Sequence, residues 1–193
     1  MAELRDYQKD IVKRIVDNFM NYDFFFINSP TGTGKTVIAL SITRELLKKG
    51  LIERALWFTR THNEYHPIYR DIRKFNMVEI TPCPLIGKNK LCDSSMKSIV
   101  EEAGEYIDVC KVCPKHAMKV DVAFLQQMLE KGIEEILNSI PRHYCRYYTL
   151  WKACEYSNLI LLTYPYLIGR PRVKLDNKID YQFIIIDEAH NID

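Results

Sequence analysis

One glycine-containing stretch constrains this chain more than any other: Ser29–Thr36, which reads Ser-Pro-Thr-Gly-Thr-Gly-Lys-Thr. An apolar run of strand length, Phe24–Asn28, precedes it, and Val37–Leu47 follows it with apolar residues at helical spacing. A strand, a glycine loop, Lys-Thr and a helix, in this order, are the context of a phosphate-binding loop. The pattern usually begins with glycine and here begins with Ser29, at a position whose side chain does not touch phosphate. We therefore predict a nucleoside triphosphate site.

The residue types of this loop suit phosphate chemistry. Gly32 and Gly34 let the backbone turn tightly and bring its N–H groups to phosphate oxygens. The helix begins at the loop, so its dipole faces the same anion. Lys35 reaches the β- and γ-phosphates, and the Thr36 hydroxyl ligates magnesium. The loop residues predicted to bind ATP are Ser29, Pro30, Thr31, Gly32, Thr33, Gly34, Lys35 and Thr36.

A second motif supplies the acidic half of such a site. Four apolar residues, Phe183–Ile186, predict a strand that ends in Asp187 and Glu188. The carboxyl end of a strand is where ligands bind in open α/β sheets. Asp187 would hold magnesium, and Glu188 would orient and deprotonate the attacking water. Together with the phosphate loop, this motif predicts ATP hydrolysis.

Composition places the chain in a broad class. The 193 residues are 47% hydrophobic and 27% charged, as in ordinary globular proteins. The net charge of +2 neither demands nor excludes a nucleic-acid partner. No apolar run reaches the roughly 20 residues that span a bilayer, and the N-terminus does not read as a signal peptide. We therefore expect a cytoplasmic protein that does not contact membranes.

The order of elements predicts an α/β domain interrupted by an insertion. Residues 1–81 and 149–193 alternate between helices and strands, which predicts a parallel sheet with helices on both faces. Residues 82–148 break this rhythm, offer no convincing strand and predict a small helical insertion domain. The predicted helices are 4–22, Glu64–Phe75, Ser94–Ala103, Val120–Leu137 and Arg146–Tyr156, and the further strands are Arg54–Thr59 and Asn158–Thr163.

Cysteines concentrate in the insertion. Cys110 and Cys113 form a C-x2-C-P unit, with Cys92 before it and Cys145 after it. One close pair and two distant single cysteines fit a zinc site and a [4Fe–4S] cluster about equally well. Disulfides are less expected in a reducing compartment.

The order of motifs decides between these metals by resemblance. A phosphate loop, four cysteines and then Asp-Glu-Ala-His at residues 187–190 resemble the XPD family of iron–sulfur DNA helicases. Further segments similar to archaeal members are 59–64, 87–92, 162–166 and 186–191. The resemblance implies a RecA-like motor domain, left incomplete in this chain, that uses ATP and Mg²⁺. It also implies a [4Fe–4S] cluster ligated by Cys92, Cys110, Cys113 and Cys145. Cys83 and Cys154 are left as small buried hydrophobes.

The resemblance also implies site residues and a partner. Lys35, Asp187, Glu188 and His190 become the predicted catalytic residues, with His190 linking the nucleotide site to the DNA-facing side. Arg5 and Gln8 match the element that recognises adenine. The partner is single-stranded DNA, tracked 5′ to 3′ by a monomer. The residues predicted to bind DNA are Arg60, Thr61, Lys88, Arg142, Arg146 and Tyr164; the basic and aromatic residues of the insertion could equally pack against the motor domain.

Family members continue into an arch-shaped insertion and a second motor domain, which this chain lacks. We therefore expect these 193 residues alone to bind nucleotide weakly and not to unwind DNA. The alternative is a zinc-stabilised nucleic-acid-binding protein with a vestigial ATP site. A third possibility, part of an ATP-dependent nuclease, has no supporting carboxylate cluster.

Overall fold

The structure, a computed structural model, describes residues 2–92, 110, 113–116, 118–168 and 175–192. The chain divides into two compact units. One unit consists of residues 1–82 and 158–193, and the other consists of residues 83–157. The domain boundaries predicted after residues 81 and 148 stay predictions.

A parallel sheet forms the centre of the first unit. Strand β1 (Ala55–Thr59) lies between β3 (Leu159–Thr163) and β4 (Phe183–Ile186) and pairs with both in parallel. With the short strand β2 (Pro82–Pro84), the order in the sheet is β2-β3-β1-β4. Every residue of β1 and β3 is buried, which explains why both strands are continuous apolar runs. The predicted α/β fold with a parallel sheet is confirmed.

The described part of this unit includes the α-helices α1 (Asp6–Asp17), α2 (Lys35–Lys48) and α3 (Tyr65–Lys74). Helix α1 is shorter than the predicted span of residues 4–22. It ends at Asp17, and the side-chain amide of the next residue, Asn18, donates to the Arg14 carbonyl at 2.8 Å. Asparagine side chains compete for backbone carbonyls in this way, and the apolar spacing alone did not reveal this stop.

The predicted strand Phe24–Asn28 is wrong. These residues have no regular secondary structure, and among the described residues no backbone hydrogen bond joins them to a strand. Phe24 and Phe26 are 78% and 92% exposed, whereas Phe25 and Ile27 are partly covered. This alternation has the period of a strand. However, periodicity does not supply the neighbouring N–H and C=O groups that a strand requires.

The second unit contains α4 (Lys88–Leu91), α5 (Val122–Leu129), α6 (Ile133–Ser139) and α7 (Arg146–Cys154). The predicted helix Val120–Leu137 is two helices, because each half has its own N-cap. The Asp121 carboxylate accepts the Ala123 N–H at 2.9 Å, and the Glu135 carboxylate accepts the Gly132 N–H at 3.3 Å. The predicted helix Ser94–Ala103 lies outside the described residues.

The prediction that residues 82–148 contain no strand is also wrong, since β2 occupies residues 82–84. Three residues, two of them proline, are too short and too poor in N–H donors to give a strand signal. No helix in the described part of the chain combines the length and the hydrophobicity needed to cross a bilayer.

Two cysteines lie in the core of the second unit. Cys83 and Cys154 are fully buried, as predicted, and their Sγ atoms are 3.2 Å apart. The Cys83 thiol also contacts the Leu150 carbonyl at 3.7 Å. Burial raises the pKa of Cys83 well above its ordinary value, and Cys154 raises it further. Cys83 therefore remains a neutral thiol, and both buried side chains pack like small apolar ones.

Candidate functional site

The phosphate loop has a backbone that only glycine adopts readily. Gly32 and Gly34 have left-handed φ angles of 79° and 82°. Helix α2 begins at the next residue, Lys35, so the unpaired N–H groups of its first turn lie at the loop. Oriented N–H groups at this point are the elements of an anion site.

Side chains of the loop hold it closed. The hydroxyls of Ser29 and Thr33 are 2.9 Å apart, and the Thr33 hydroxyl donates to the Pro30 carbonyl at 2.8 Å. Ser29 therefore contributes a loop contact that glycine at this position would lack. The sequence predicted Ser29 as a loop residue whose side chain does not touch phosphate, and its contact with Thr33 was not predicted.

Lys35 connects the loop with the acidic motif. Its Nζ donates to the Ser29 carbonyl at 3.2 Å and lies 4.0 Å from Oε1 of Glu188. The lysine and the glutamate of the two predicted half-sites are thus within ion-pair distance in the first unit. A cation between a phosphate loop and a carboxylate is positioned to neutralise phosphate charge.

Asp187 directly follows β4, and its N–H donates to a β1 carbonyl, that of Phe58, at 3.0 Å. Burial raises the pKa of the Asp187 carboxyl, and the negative charges of Glu188 and Glu64 raise it further. A backbone hydrogen bond and the charge of Lys35 act in the opposite direction. A partly buried carboxylate among like charges gains from a cation, so the surroundings of Asp187 suit a magnesium ligand.

Glu188 has an unusual backbone and two charged neighbours. Its φ is 51°, in the left-handed region. Its carboxylate lies 4.0 Å from Lys35 Nζ and 3.5 Å from Nε2 of His190. Lys35, Asp187, Glu188 and His190, which were predicted as catalytic residues, are therefore connected by direct contacts or by charge.

The start of α1 touches the phosphate loop. Gln8 is buried, its Nε2 donates to the Thr33 carbonyl at 2.9 Å, and its Oε1 accepts the Arg5 N–H at 2.9 Å. The Tyr7 hydroxyl donates to the same Thr33 carbonyl at 2.7 Å. Adenine recognition by Arg5 and Gln8 stays a prediction. The contact of Tyr7 with the loop was not predicted.

A tight turn follows β1. The Glu64 carboxylate accepts the N–H groups of Arg60 and Thr61 at 3.0 and 3.1 Å, and the Thr61 hydroxyl at 2.9 Å. Arg60 and Thr61 are both exposed, and their contact with DNA stays a prediction. Glu64, which fixes this turn, was not predicted, although Thr-x-x-Glu at 61–64 is a capping-box signature in the sequence.

Tyr164 follows β3 and is half-buried. Its hydroxyl donates to the carbonyls of Asp187 and Glu188, the second at 3.1 Å. Sequence reasoning assigned Tyr164 to DNA by resemblance, which stays a prediction. No sequence signal indicated its contact with the acidic motif.

A cavity of about 190 Å³ lies in the second unit, among three of the predicted cluster ligands. Cys92, Cys113 and Cys145 line it together with cationic side chains. The other lining residues are Leu91, Lys115, Arg142, Tyr144 and Arg146. Of the predicted DNA-binding residues of this unit, Arg142 and Arg146 therefore lie beside the cysteines. Lys115 was not predicted.

The fourth predicted ligand, Cys110, is 8% exposed, and its charge affects the thiol of Cys92. Burial raises the pKa of Cys92, and the charges of Cys110, Cys145 and Cys113 raise it further, whereas the positive charge of Lys88 lowers it. All four thiols are thus close enough to interact. Among the residues that the structure describes, no three His, Cys, Asp or Glu side chains converge to hold one metal ion.

Comparison with known proteins assigns the family. The family described as "Type III restriction enzyme, res subunit" matches residues 1–193. The chain belongs to this family. The ATP-dependent DNA helicase XPD of Sulfolobus acidocaldarius is 33% identical over 196 residues, covering 100% of this chain and 34% of the relative. A regulator of telomere elongation helicase 1 homolog of Caenorhabditis elegans is 25% identical over 231 residues, covering 96% of this chain and 23% of the relative.

Solved structures agree with this family. One titled "XPD_Helicase" superposes with a TM-score of 0.70 and 29% identity, covering 100% of this chain and 34% of the other. "Truncated XPD" gives 0.57 and 27%, covering 98% and 53%. The predicted resemblance to the XPD helicases and the RecA-like fold are confirmed. The chain spans about a third of the length of the XPD relative.

Proposed function

We propose that this chain is the motor portion of an ATP-dependent DNA helicase and binds ATP with magnesium and single-stranded DNA. One observation carries the proposal: the Lys35 ammonium lies 4.0 Å from the Glu188 carboxylate. This distance brings the phosphate loop and the acidic motif within ion-pair range, which supports their assignment as the two halves of an ATPase site. Movement of the whole enzyme from 5′ to 3′, a monomeric state and a cytoplasmic location belong to the same proposal.

The residues take distinct roles in this site. Backbone N–H groups of the loop bind the phosphates, and Lys35 neutralises their charge. Thr36 and Asp187 would hold magnesium, which supplies charge stabilisation when it is bound. Glu188 takes a proton from the attacking water, and His190 contacts Glu188. Arg5 and Gln8 would recognise adenine next to the loop that Gln8 already contacts.

We also propose that Cys92, Cys110, Cys113 and Cys145 hold a [4Fe–4S] cluster. Three of these thiols line one cavity, and the charges of the other three cysteines affect the Cys92 thiol. Each ligand of such a cluster binds a different iron, so the four thiolates need not converge on one point as they would around zinc. When bound, the cluster cross-links segments of the second unit that lie far apart in sequence.

For single-stranded DNA, the proposal assigns two groups of residues. Arg60, Thr61 and Tyr164 belong to the first unit, and Lys88, Arg142 and Arg146 belong to the second. Arg142 and Arg146 lie beside Tyr144, which provides cations and an aromatic ring in one place. Replacing both arginines with alanine should weaken oligonucleotide binding and reduce its salt dependence. Unchanged affinity and salt slope would remove these two residues from the proposal.

Nucleotide binding tests the proposal. A fluorescent ATP analogue is titrated into wild-type protein and Lys35→Ala, with and without Mg²⁺. Loss of a charge-assisted contact to phosphate should weaken binding by about 10- to 100-fold. The matched control is Lys49→Ala, which removes an exposed lysine of the same unit that is 3.9 Å from Asp17. Equal affinities for wild type and Lys35→Ala would contradict the proposal.

A further expectation concerns the 193 residues alone. In helicases of this kind a second motor domain completes the site, so we expect weak nucleotide binding and no strand separation. Robust unwinding of duplex DNA by the 193-residue protein would contradict that expectation.

A further inference from the structure

The acidic motif contains a backbone conformation that needs support. Among the described residues, Glu188 and Asn76 are the non-glycine residues with positive φ, 51° and 49°. Asparagine tolerates this region, whereas glutamate rarely adopts it. A strained residue persists when surrounding contacts hold it in place, and such residues concentrate at functional sites.

Tyr164 supplies such contacts. Its hydroxyl donates to the carbonyls of Asp187 and Glu188, the residues on either side of the peptide that enters the strained position. These bonds connect the segment after β3 with the segment after β4. In the sheet, β1 lies between these two strands, so no β-ladder joins them. The tyrosine side chain therefore connects the ends of two strands that do not pair with each other.

The Tyr164 hydroxyl lies among charged side chains, because the carboxylates of Glu64, Asp187 and Glu188 and the guanidinium of Arg60 act on it. The hydroxyl carries one proton, which the two carbonyls share. Glu64 and Arg60 belong to the turn after β1, so the ring lies among the charges of that turn and of the acidic motif.

We propose that Tyr164 is a positioning residue that holds Asp187 and Glu188 in the left-handed turn required for magnesium-dependent nucleotide binding. The inference rests on the proposed ATP site. Through its two carbonyl contacts, Tyr164 fixes the backbone from which the Asp187 carboxylate reaches magnesium. It also fixes the Glu188 carboxylate opposite Lys35. Neither role requires Tyr164 to touch the nucleotide.

The test is Tyr164→Phe in the 193-residue protein, which removes the hydroxyl and keeps the ring. A fluorescent ATP analogue is titrated without Mg²⁺, and Mg²⁺ is then titrated at fixed nucleotide. Affinity without Mg²⁺ should stay within about twofold, because the phosphate loop is untouched. The Mg²⁺ concentration for half-saturation should rise by about tenfold, the equivalent of one lost hydrogen bond. An unchanged Mg²⁺ requirement would overturn the inference.

Tyr69→Phe is the matched control. Tyr69 is a buried tyrosine of the same unit whose hydroxyl donates to the Pro82 carbonyl at 3.2 Å. It should lower stability without changing the Mg²⁺ requirement. If both variants raise that requirement equally, the effect reflects general loosening and the inference fails.

Glu188→Gly provides a second measurement, because glycine adopts the left-handed turn without strain. On this background Tyr164→Phe should no longer raise the Mg²⁺ requirement. Should Tyr164→Phe alone fail to fold, recovery of the fold in the double variant supports the inference, and failure to recover it overturns it. If wild-type protein binds nucleotide no better than Lys35→Ala does, the ATP site and the inference are refuted together. Normal wild-type binding with a normal Tyr164→Phe would refute the inference alone.

Discussion

Gly34→Ala has a cost that the structure defines at the atomic level. Gly34 has a φ of 82°, and a Cβ there would lie 2.6 Å from Nε2 of Gln8 and 3.0 Å from Cγ1 of Val37. The left-handed backbone costs an alanine about 1–2 kcal/mol. Displacing the Gln8 amide also breaks its hydrogen bond to Thr33, which contributes about 1 kcal/mol. The total of about 2–3 kcal/mol corresponds to a Tm lowered by roughly 4–12 °C for a chain of this size.

Gly50→Ala separates strain from collision. Gly50 also has a positive φ, 65°, but a Cβ there would meet no atom within 4 Å. It should therefore show only the backbone term of about 1–2 kcal/mol. Calorimetry on both variants measures the difference, which we assign to Gln8.

A double-mutant cycle then tests that assignment. On a Gln8→Ala background, the excess cost of Gly34→Ala over Gly50→Ala should shrink, because the colliding amide is gone and only the 3.0 Å approach to Cγ1 of Val37 remains. The reasoning is refuted if Gly34→Ala and Gly50→Ala cost the same in the wild-type background. It is also refuted if removing Gln8 leaves the extra cost in place.

Three further predictions concern charge and thiols. Contacts with Arg44, 2.6 and 3.0 Å long, lower the pKa of Glu79 from 4.5 to about 2; this ion pair should stabilise the fold above pH 4.5 and lose its effect as the pH falls toward 2. Glu79→Gln should lower the free energy of unfolding, measured in urea, by about 1 kcal/mol at pH 7, a value discounted for partial exposure, and by nothing at pH 2. An equal loss at both pH values would exclude the ion pair. Burial and neighbouring carboxylates raise the pKa of Asp187, so its negative charge opposes folding as the pH rises. Asp187→Asn should therefore raise the Tm at pH 7 while weakening Mg²⁺ binding. A lowered Tm would contradict this prediction. Cys83 and Cys154 are fully buried, so both should resist alkylation until urea unfolds the protein. Mass spectrometry that finds native protein labelled at either cysteine would show that the pair is open to solvent.

The elements that the sequence predicted correctly carry their signal within a short window. β1 and β3 are buried on both faces and therefore consist of continuous apolar residues. The phosphate loop is a local motif in which glycines, lysine and the start of a helix adjoin one another. The prediction of a strand at Phe24–Asn28 was wrong because a strand needs a pairing partner elsewhere in the chain, and an apolar alternation carries no information about that partner.

The contacts that organise the candidate site were mostly beyond the reach of the sequence. Gln8 and Tyr7 meet at the Thr33 carbonyl, and Tyr164 reaches the carbonyls of Asp187 and Glu188. Such contacts use backbone atoms that every residue possesses, so the accepting residue leaves no mark in the sequence. Glu64 is the exception, since its capping box could have been recognised from Thr-x-x-Glu.

Iron analysis of anaerobically purified protein tests most directly whether this chain is the motor portion of an iron–sulfur helicase. We predict about four iron and four sulfide ions per chain, with visible absorption that disappears in Cys113→Ser. Cys154→Ser, a buried cysteine outside the predicted ligand set, should retain the iron. About one zinc ion per chain with a colourless protein would contradict the iron–sulfur assignment and favour a zinc-stabilised nucleic-acid-binding protein.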